Sequence, residues 1–140
     1  MQKNKPVLHI YTDGGSRNNP GPAAIGVVIY DDNKKIVSEI SEFIGEATNN
    51  AAEYIALIFG AQEALKMKAG KVIFYSDSQL VVRQITGKYK VRDKNLKKFN
   101  SIARNILDAF KDRHFKEIPR EDNKQADALA NRALDVNTLI

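Results

Sequence analysis

The sequence predicts an α/β fold: a five-stranded mixed sheet, three antiparallel strands followed by two parallel ones, with helices on both faces. Three observations predict it. The first 44 residues hold three β-rich runs divided by short turn-forming segments, and the rest of the chain alternates helical and strand patterns. The third is the run Lys71 to Ser76, apolar over most of its length, as expected of a central strand covered on both faces. With 140 residues, 43% of them hydrophobic, the chain is long enough to bury one core, and residues 1–140 are expected to form a single domain.

Val7 to Thr12 reads as the first strand, ending at Asp13 in a turn rich in glycine and proline, Gly14 to Pro22. Ala24 to Tyr30 makes the second strand and, after the turn Asp31 Asp32 Asn33, Ile36 to Ile44 makes the third. Ala51 to Lys68 is a largely apolar helix broken at Gly70, with Asn50 as its expected N-cap and Glu53 in its first turn. The strand Lys71 to Ser76 leads into Asp77, an expected N-cap for the amphipathic helix that runs to Gly87. Leu96, Phe99, Ile102, Ala103, Ile106, Leu107 and Phe110 recur at three- and four-residue steps and predict another helix. His114 to Ile118 is the last strand, and its histidine, like His9 in the first strand, reads as structural. Asp122 or Asn123 caps a final helix with Ala126, Leu129, Ala130 and Ala133 on its core face, and residues 135–140 are expected to fray.

Crossovers through helices make the fourth and fifth strands parallel to the first. In such a sheet, strand carboxyl ends and helix N-termini share one edge, so Asp13, Glu53, Asp77 and Asp127 can reach one crevice. Each acid has a plain structural reading as a turn former, a capping residue or a dipole-favoured surface charge. Together they would repel one another unless divalent cations neutralised them. Oxygen-only ligands favour Mg²⁺ or Mn²⁺, and two such ions about 4 Å apart suit phosphodiester chemistry. Asn19, Thr48, Asn49, Asn50, Ser78 and Gln79 add neutral donors and acceptors beside the acids, suited to phosphate oxygens and 2′-hydroxyls.

The formal net charge is +5, and the stretch Lys88 to Lys98 holds six basic residues against Asp93 alone, a local excess equal to the whole. That stretch, with Tyr89 among its bases, reads either as a solvated face or as contacts to a polyanionic partner through Lys88, Lys90 and Arg92. The chain has no cysteine, which excludes a disulfide framework and a thiolate zinc site. No run approaches a membrane span, and Met1 to Pro6 carries no apolar signal segment, so a cytoplasmic protein without a membrane partner is expected, as a monomer.

The ordered segments Tyr11 Thr12 Asp13 Gly14 Gly15, Asn19 Pro20 Gly21 Pro22, Thr48 Asn49 Asn50 Ala51 Ala52 Glu53, Ser76 Asp77 Ser78 Gln79 and Ala126 Asp127 Ala128 Leu129 Ala130 make the chain closely resemble type 1 ribonuclease H. The resemblance implies a ribonuclease H-like fold and a two-metal endonuclease that cuts the RNA strand of RNA–DNA hybrids, leaving 5′-phosphate and 3′-hydroxyl ends. It implies that Asp13 is shared by both ions, that Asp127 serves the water-activating one, and that Glu53 and Asp77 serve the other. Asn49, Asn50 and Gln79 match positions that contact RNA, Asn19 and Thr48 match part of a grip on the DNA backbone, and Gly14 and Ser78 complete the expected substrate contacts. The loop Pro119 to Lys124 lacks the histidine many members carry there, and no basic handle is inserted between the central helices. Both features resemble the subgroup found in archaea and plants, in which Arg120 could meet a phosphate.

Double-stranded RNA stays open as a second substrate. A module that binds hybrid or double-stranded RNA without cutting it is the main alternative, although retention of all four acids argues against it. A 3′ to 5′ exonuclease of the same superfamily would carry a second acid where Gly15 stands. A reverse-transcriptase domain is a further reading, against which the initiating methionine favours a free-standing enzyme.

Overall fold

β-Branched and aromatic runs form five strands, and alanine- and leucine-rich stretches form helices around them, in the computed structural model, which describes residues 5–139. The order is β1 (Val7–Ser16), β2 (Gly21–Tyr30), β3 (Ile36–Ala47), α1 (Asn49–Lys66), β4 (Lys71–Ser76), α2 (Gln79–Ile85), α3 (Lys94–Leu107), β5 (Asp112–Glu117), a 3-10 turn (Arg120–Asp122) and α4 (Lys124–Leu139). The strands lie side by side as β3-β2-β1-β4-β5. β1 runs antiparallel to β2 and β2 to β3, whereas β1 with β4 and β4 with β5 are parallel. The mixed sheet expected from the sequence is the one observed.

Side chains alternate across β1. Leu8 and Ile10 face a large core shared with Tyr54 and Leu57 of α1 and Leu96, Ala103 and Leu107 of α3. On the other face Val28 packs with Ala126 and Leu129 of α4 in a much smaller cluster, edged by Tyr11 and Tyr30. A buried polar chain ties the helices of the large core together: the Tyr54 hydroxyl donates to Gln84 Oε1 at 2.6 Å, Asn100 Nδ2 donates to that hydroxyl, and Arg104 Nε donates to Asn100 Oδ1. This satisfied network fixes α1 next to Glu53.

Two expectations about element ends are corrected. β1 does not stop at Thr12; its parallel ladder with β4 ends at Thr12 and Ser76, but Asp13 to Ser16 go on pairing with Gly26 to Ala23 of β2. Asp13, Gly14 and Gly15 are therefore strand residues, not a turn. Residues 135–139, expected to fray, belong to α4, where Thr138 Oγ1 donates to the Leu134 carbonyl and Arg17 pairs with Asp135 across to the end of β1. No glycine or proline interrupts that last turn, so the helix continues. Met1 to Asn4, within the segment read as lacking a signal, and Ile140 lie outside the described residues.

Two glycines set how closely the helices approach. A Cβ on Gly14 would stand 2.2 Å from the Ala52 carbonyl oxygen, so only glycine lets β1 touch the first turns of α1. A Cβ on Gly26 would stand 2.0 Å from the Ala126 carbonyl oxygen. Gly26 pairs with Asp13, so this contact seats the start of α4, with Asp127, over that aspartate.

Candidate active site

Asp13 follows the last residue of β1 that is paired to β4, and Asp77 follows the last residue of β4, so the two carboxylates emerge at the same level of adjacent parallel strands. Glu53 reaches them from α1. One carboxylate oxygen from each of Asp13, Glu53 and Asp77 lies within 4.8 Å of the others. The Gly14 N–H donates to Glu53 Oε1 at 3.1 Å and holds that carboxylate against β1.

The capping roles expected of two acidic segments are taken by other residues. Thr48, not Asn50, caps α1, accepting from the Ala51 N–H at 3.1 Å. Helix α1 thus starts earlier than the sequence suggested, and Glu53 lies beyond its first turn and outside any capping box. Ser78, not Asp77, caps α2, accepting from the Val81 N–H at 3.3 Å. Thr48 and Ser78 have the extended backbone that an N-cap requires, and their hydroxyls take the helix N–H groups. Glu53 and Asp77 are free for another purpose.

Crowding perturbs the cluster strongly. Burial first, then the charge of Asp77 and the hydrogen bond and charge of Asp127, push the Asp13 carboxyl up to about 8, with the Gly14 N–H opposing. Burial, followed by the charges of Asp13 and Asp77, holds Glu53 well above its ordinary range, and the Gly14 N–H and Arg120 partly offset this. Asp127 is exposed and stands beside Asp13 rather than inside the three-residue cluster. Acids kept this close at such cost are compatible with a divalent cation that would neutralise them.

The expected substrate residues fall into three groups. At one end Asn49 Oδ1 accepts from the Ser16 N–H at 2.8 Å and its own N–H donates to Asn19 Oδ1 at 2.9 Å, so the Asn19 turn, β1 and α1 are laced together. Asn50 is exposed in the first turn of α1, next to that lacing. At the other end the Gln79 amide meets the Tyr89 hydroxyl and the Arg83 guanidinium, and Arg83 also pairs with Glu117. Lys88, Lys90 and Arg92 are exposed in the connection between α2 and α3 that Tyr89 anchors. Third, Arg120 opens the 3-10 turn and is close enough to Glu53 to favour its charged form.

Asn123 does more than the helix capping expected of it. It is 1% exposed, and its Nδ2 donates to the Thr12 carbonyl at 2.9 Å and reaches Asp77 Oδ2 at 3.5 Å. Its backbone carbonyl opens α4 by accepting from the Asp127 N–H. One side chain thus joins both parallel strand ends to the helix that carries Asp127. The only signal in the sequence is its place four residues before that acid, where a helix cap is the simpler reading.

The sheet order and the carboxylate cluster define a ribonuclease H-like fold bearing an all-oxygen site compatible with a divalent metal. Residues 11–133 match the family model described as reverse transcriptase-like. A ribonuclease HI of Halobacterium salinarum is 44% identical over 128 residues, which cover 91% of this chain and 64% of that protein. The crystal structure of the RNase H1 from that archaeon superposes with a TM-score of 0.90, covering 92% of this chain and 98% of the other. LC11-RNase H1, solved in complex with RNA/DNA hybrid, is 43% identical with a TM-score of 0.88, covering 94% and 99%. The chain belongs to the type 1 ribonuclease H family. It spans less than two thirds of the Halobacterium protein and 35% of a Mycobacterium tuberculosis bifunctional protein to which it is 42% identical. No described helix is long and apolar enough to cross a membrane.

Proposed function

We propose that this chain is a metal-dependent endonuclease that hydrolyses the RNA strand of RNA–DNA hybrids to 5′-phosphate and 3′-hydroxyl ends. The observation that carries the reading is the Asp13, Glu53 and Asp77 cluster, three carboxylates within 4.8 Å with two of them driven toward protonation. The donor set is all oxygen, which fits Mg²⁺ or Mn²⁺. Bound ions of this kind, two in the mechanism proposed, supply activation of a water and stabilisation of the leaving oxygen.

The rest is done by side chains. Asp13 is the ligand we assign to both ions, with Asp127 on the water-activating side and Glu53 and Asp77 on the other. Asn123 holds Asp77, and the Gly14 N–H holds Glu53, so neither carboxylate has to be ordered when substrate arrives. Asn19, Thr48, Asn49 and Asn50 at one end, and Ser78 and Gln79 at the other, flank the carboxylates along the path a duplex would take. Lys88, Lys90 and Arg92 extend that path with positive charge. Support for a hybrid as the substrate comes from the likeness to LC11-RNase H1, which was solved with one.

The test is cleavage of end-labelled RNA–DNA hybrid, double-stranded RNA and double-stranded DNA with Mg²⁺ or Mn²⁺, by the natural sequence and by Asp13→Asn. Internal cuts in the RNA strand of the hybrid, absent in the variant, are expected. Binding of hybrid without cleavage under either metal would replace the enzyme with a binding module.

A further inference from the structure

The face of the sheet that carries α4 is only partly covered. Between β1, β4 and the turn before α4 runs a groove of about 670 Å³ whose floor is aromatic. Tyr11 and Tyr75 stack at 4.3 Å with their planes 7° apart, Tyr30 meets Tyr11 edge-on at 5.5 Å, and His9 stacks on Tyr75. Burial raises all three phenol pKa values, so the tyrosines are neutral at any ordinary pH.

The rim is acidic, although the chain as a whole is basic. Asp31, Asp32, Glu121 and Asp122 line the groove against Lys34 and Lys124. Asp31 is occupied by the N–H groups of Asn33 and Lys35, and Asp32 by His9 Nε2 at 3.0 Å. Glu121 and Asp122 are exposed on the opposite wall, and Asp122 is near enough to Tyr11 to raise its pKa further. Asn123 also lines the groove. Its Nδ2 is committed to Thr12, and its buried Oδ1 has no hydrogen-bond partner.

From these features we infer that the groove binds a guanidinium-bearing side chain of a basic peptide segment. A guanidinium is planar, stacks on aromatic faces, carries only donors and pairs with carboxylates. The groove offers the complement in its aromatic floor and in the exposed carboxylates of Glu121 and Asp122. Lys116, outside the groove, places its ammonium 5.8 Å from the Tyr75 ring centroid, which leaves the Tyr11 and Tyr30 side of the floor for an incoming cation. A nucleic acid is disfavoured, because a base stacked on Tyr11 would bring its phosphates against Glu121 and Asp122. This surface adjoins the proposed catalytic carboxylates, two residues back on β1 and β4, and shares the 120–123 turn with them.

The experiment follows the ring-proton NMR signals of Tyr11, Tyr30 and Tyr75 while the full chain, in saturating Mg²⁺ to occupy the catalytic carboxylates, is titrated with an acetylated, amidated tri-arginine peptide. Saturable shifts of these rings are expected, with binding at least about tenfold weaker in the Glu121→Gln/Asp122→Asn double variant. Both substituted residues are exposed, and circular dichroism checks that the variant keeps its fold. Unchanged affinity in the variant, shifts confined to the Asp13 region, tighter binding of a short single-stranded oligonucleotide to the same rings, or no saturable shift would each overturn the inference.

Discussion

Asp13→Asn should make the metal-free protein more stable at alkaline pH, whatever it does to catalysis. Asp13 is 9% exposed, and its carboxyl is raised from an ordinary 3.8 to about 8 by burial and by the acids around it. Below pH ~4 the residue is protonated folded or unfolded and contributes no pH dependence. Between ~4 and ~8 the unfolded chain has lost a proton that the folded chain keeps, so stability falls as pH rises; above ~8 the penalty is complete. About four units at roughly 1.4 kcal/mol each bound the effect near 6 kcal/mol, and rearrangement of the neighbouring charges cuts it toward 2 kcal/mol. Asparagine is neutral throughout. Urea denaturation in EDTA at pH 5, 7 and 9 should therefore show the variant gaining on the natural sequence by about 2 kcal/mol or more at pH 9. Mg²⁺ should restore the natural protein at pH 9 and help the variant much less. A natural protein whose metal-free stability relative to the variant is flat or rising from pH 5 to 9 would refute the claim that these carboxylates are held together against their repulsion.

Asn123→Ala removes the bond to Asp77 and leaves the buried Thr12 carbonyl without its donor, and should lower Mg²⁺ affinity or activity by roughly 10- to 100-fold, read by metal titration of the cleavage rate. Gly14→Ala places a methyl against the Ala52 carbonyl and should destabilise the fold by roughly 1–3 kcal/mol in thermal denaturation, with α1 and Glu53 pushed away from β1. Replacing Lys88, Lys90 and Arg92 together by alanine should raise KM with little change in kcat. It should also flatten the salt dependence of hybrid binding by about 0.7–0.9 log units per log of salt for each phosphate that is no longer neutralised.

The strands, the helices and the convergence of Asp13, Glu53 and Asp77 were legible because each leaves a local mark: a β-rich run, a three- and four-residue apolar period, an acid near an element boundary. What was hidden depended on partners far along the chain. β1 extends to Ser16 because Ala23 to Gly26 of β2 go on pairing with it after β4 has ended. Thr48 and Ser78 displaced the expected caps because the choice among adjacent polar residues is set by which one has extended backbone, and that is decided where the strand before each helix ends. Asn123 looked like a cap because its true acceptor, the Thr12 carbonyl, is 111 residues earlier.

One feature of the sheet joins the legible and the hidden parts. The parallel register sets Tyr11 opposite Tyr75 and Thr12 opposite Ser76, so the next residues, Asp13 and Asp77, come side by side where the ladder between the two strands ends. A slip of one residue would turn one aspartate toward the opposite face and part the tyrosine rings in the same movement. The aromatic floor is thus the packed continuation of the carboxylate cluster, two residues back on each strand. Its stacking, at 4.3 Å between rings, favours the same register that brings the carboxylates into reach. Tyr11 and Tyr75 hold the strands in step, and the repulsion between Asp13 and Asp77 works against a pairing that these rings stabilise.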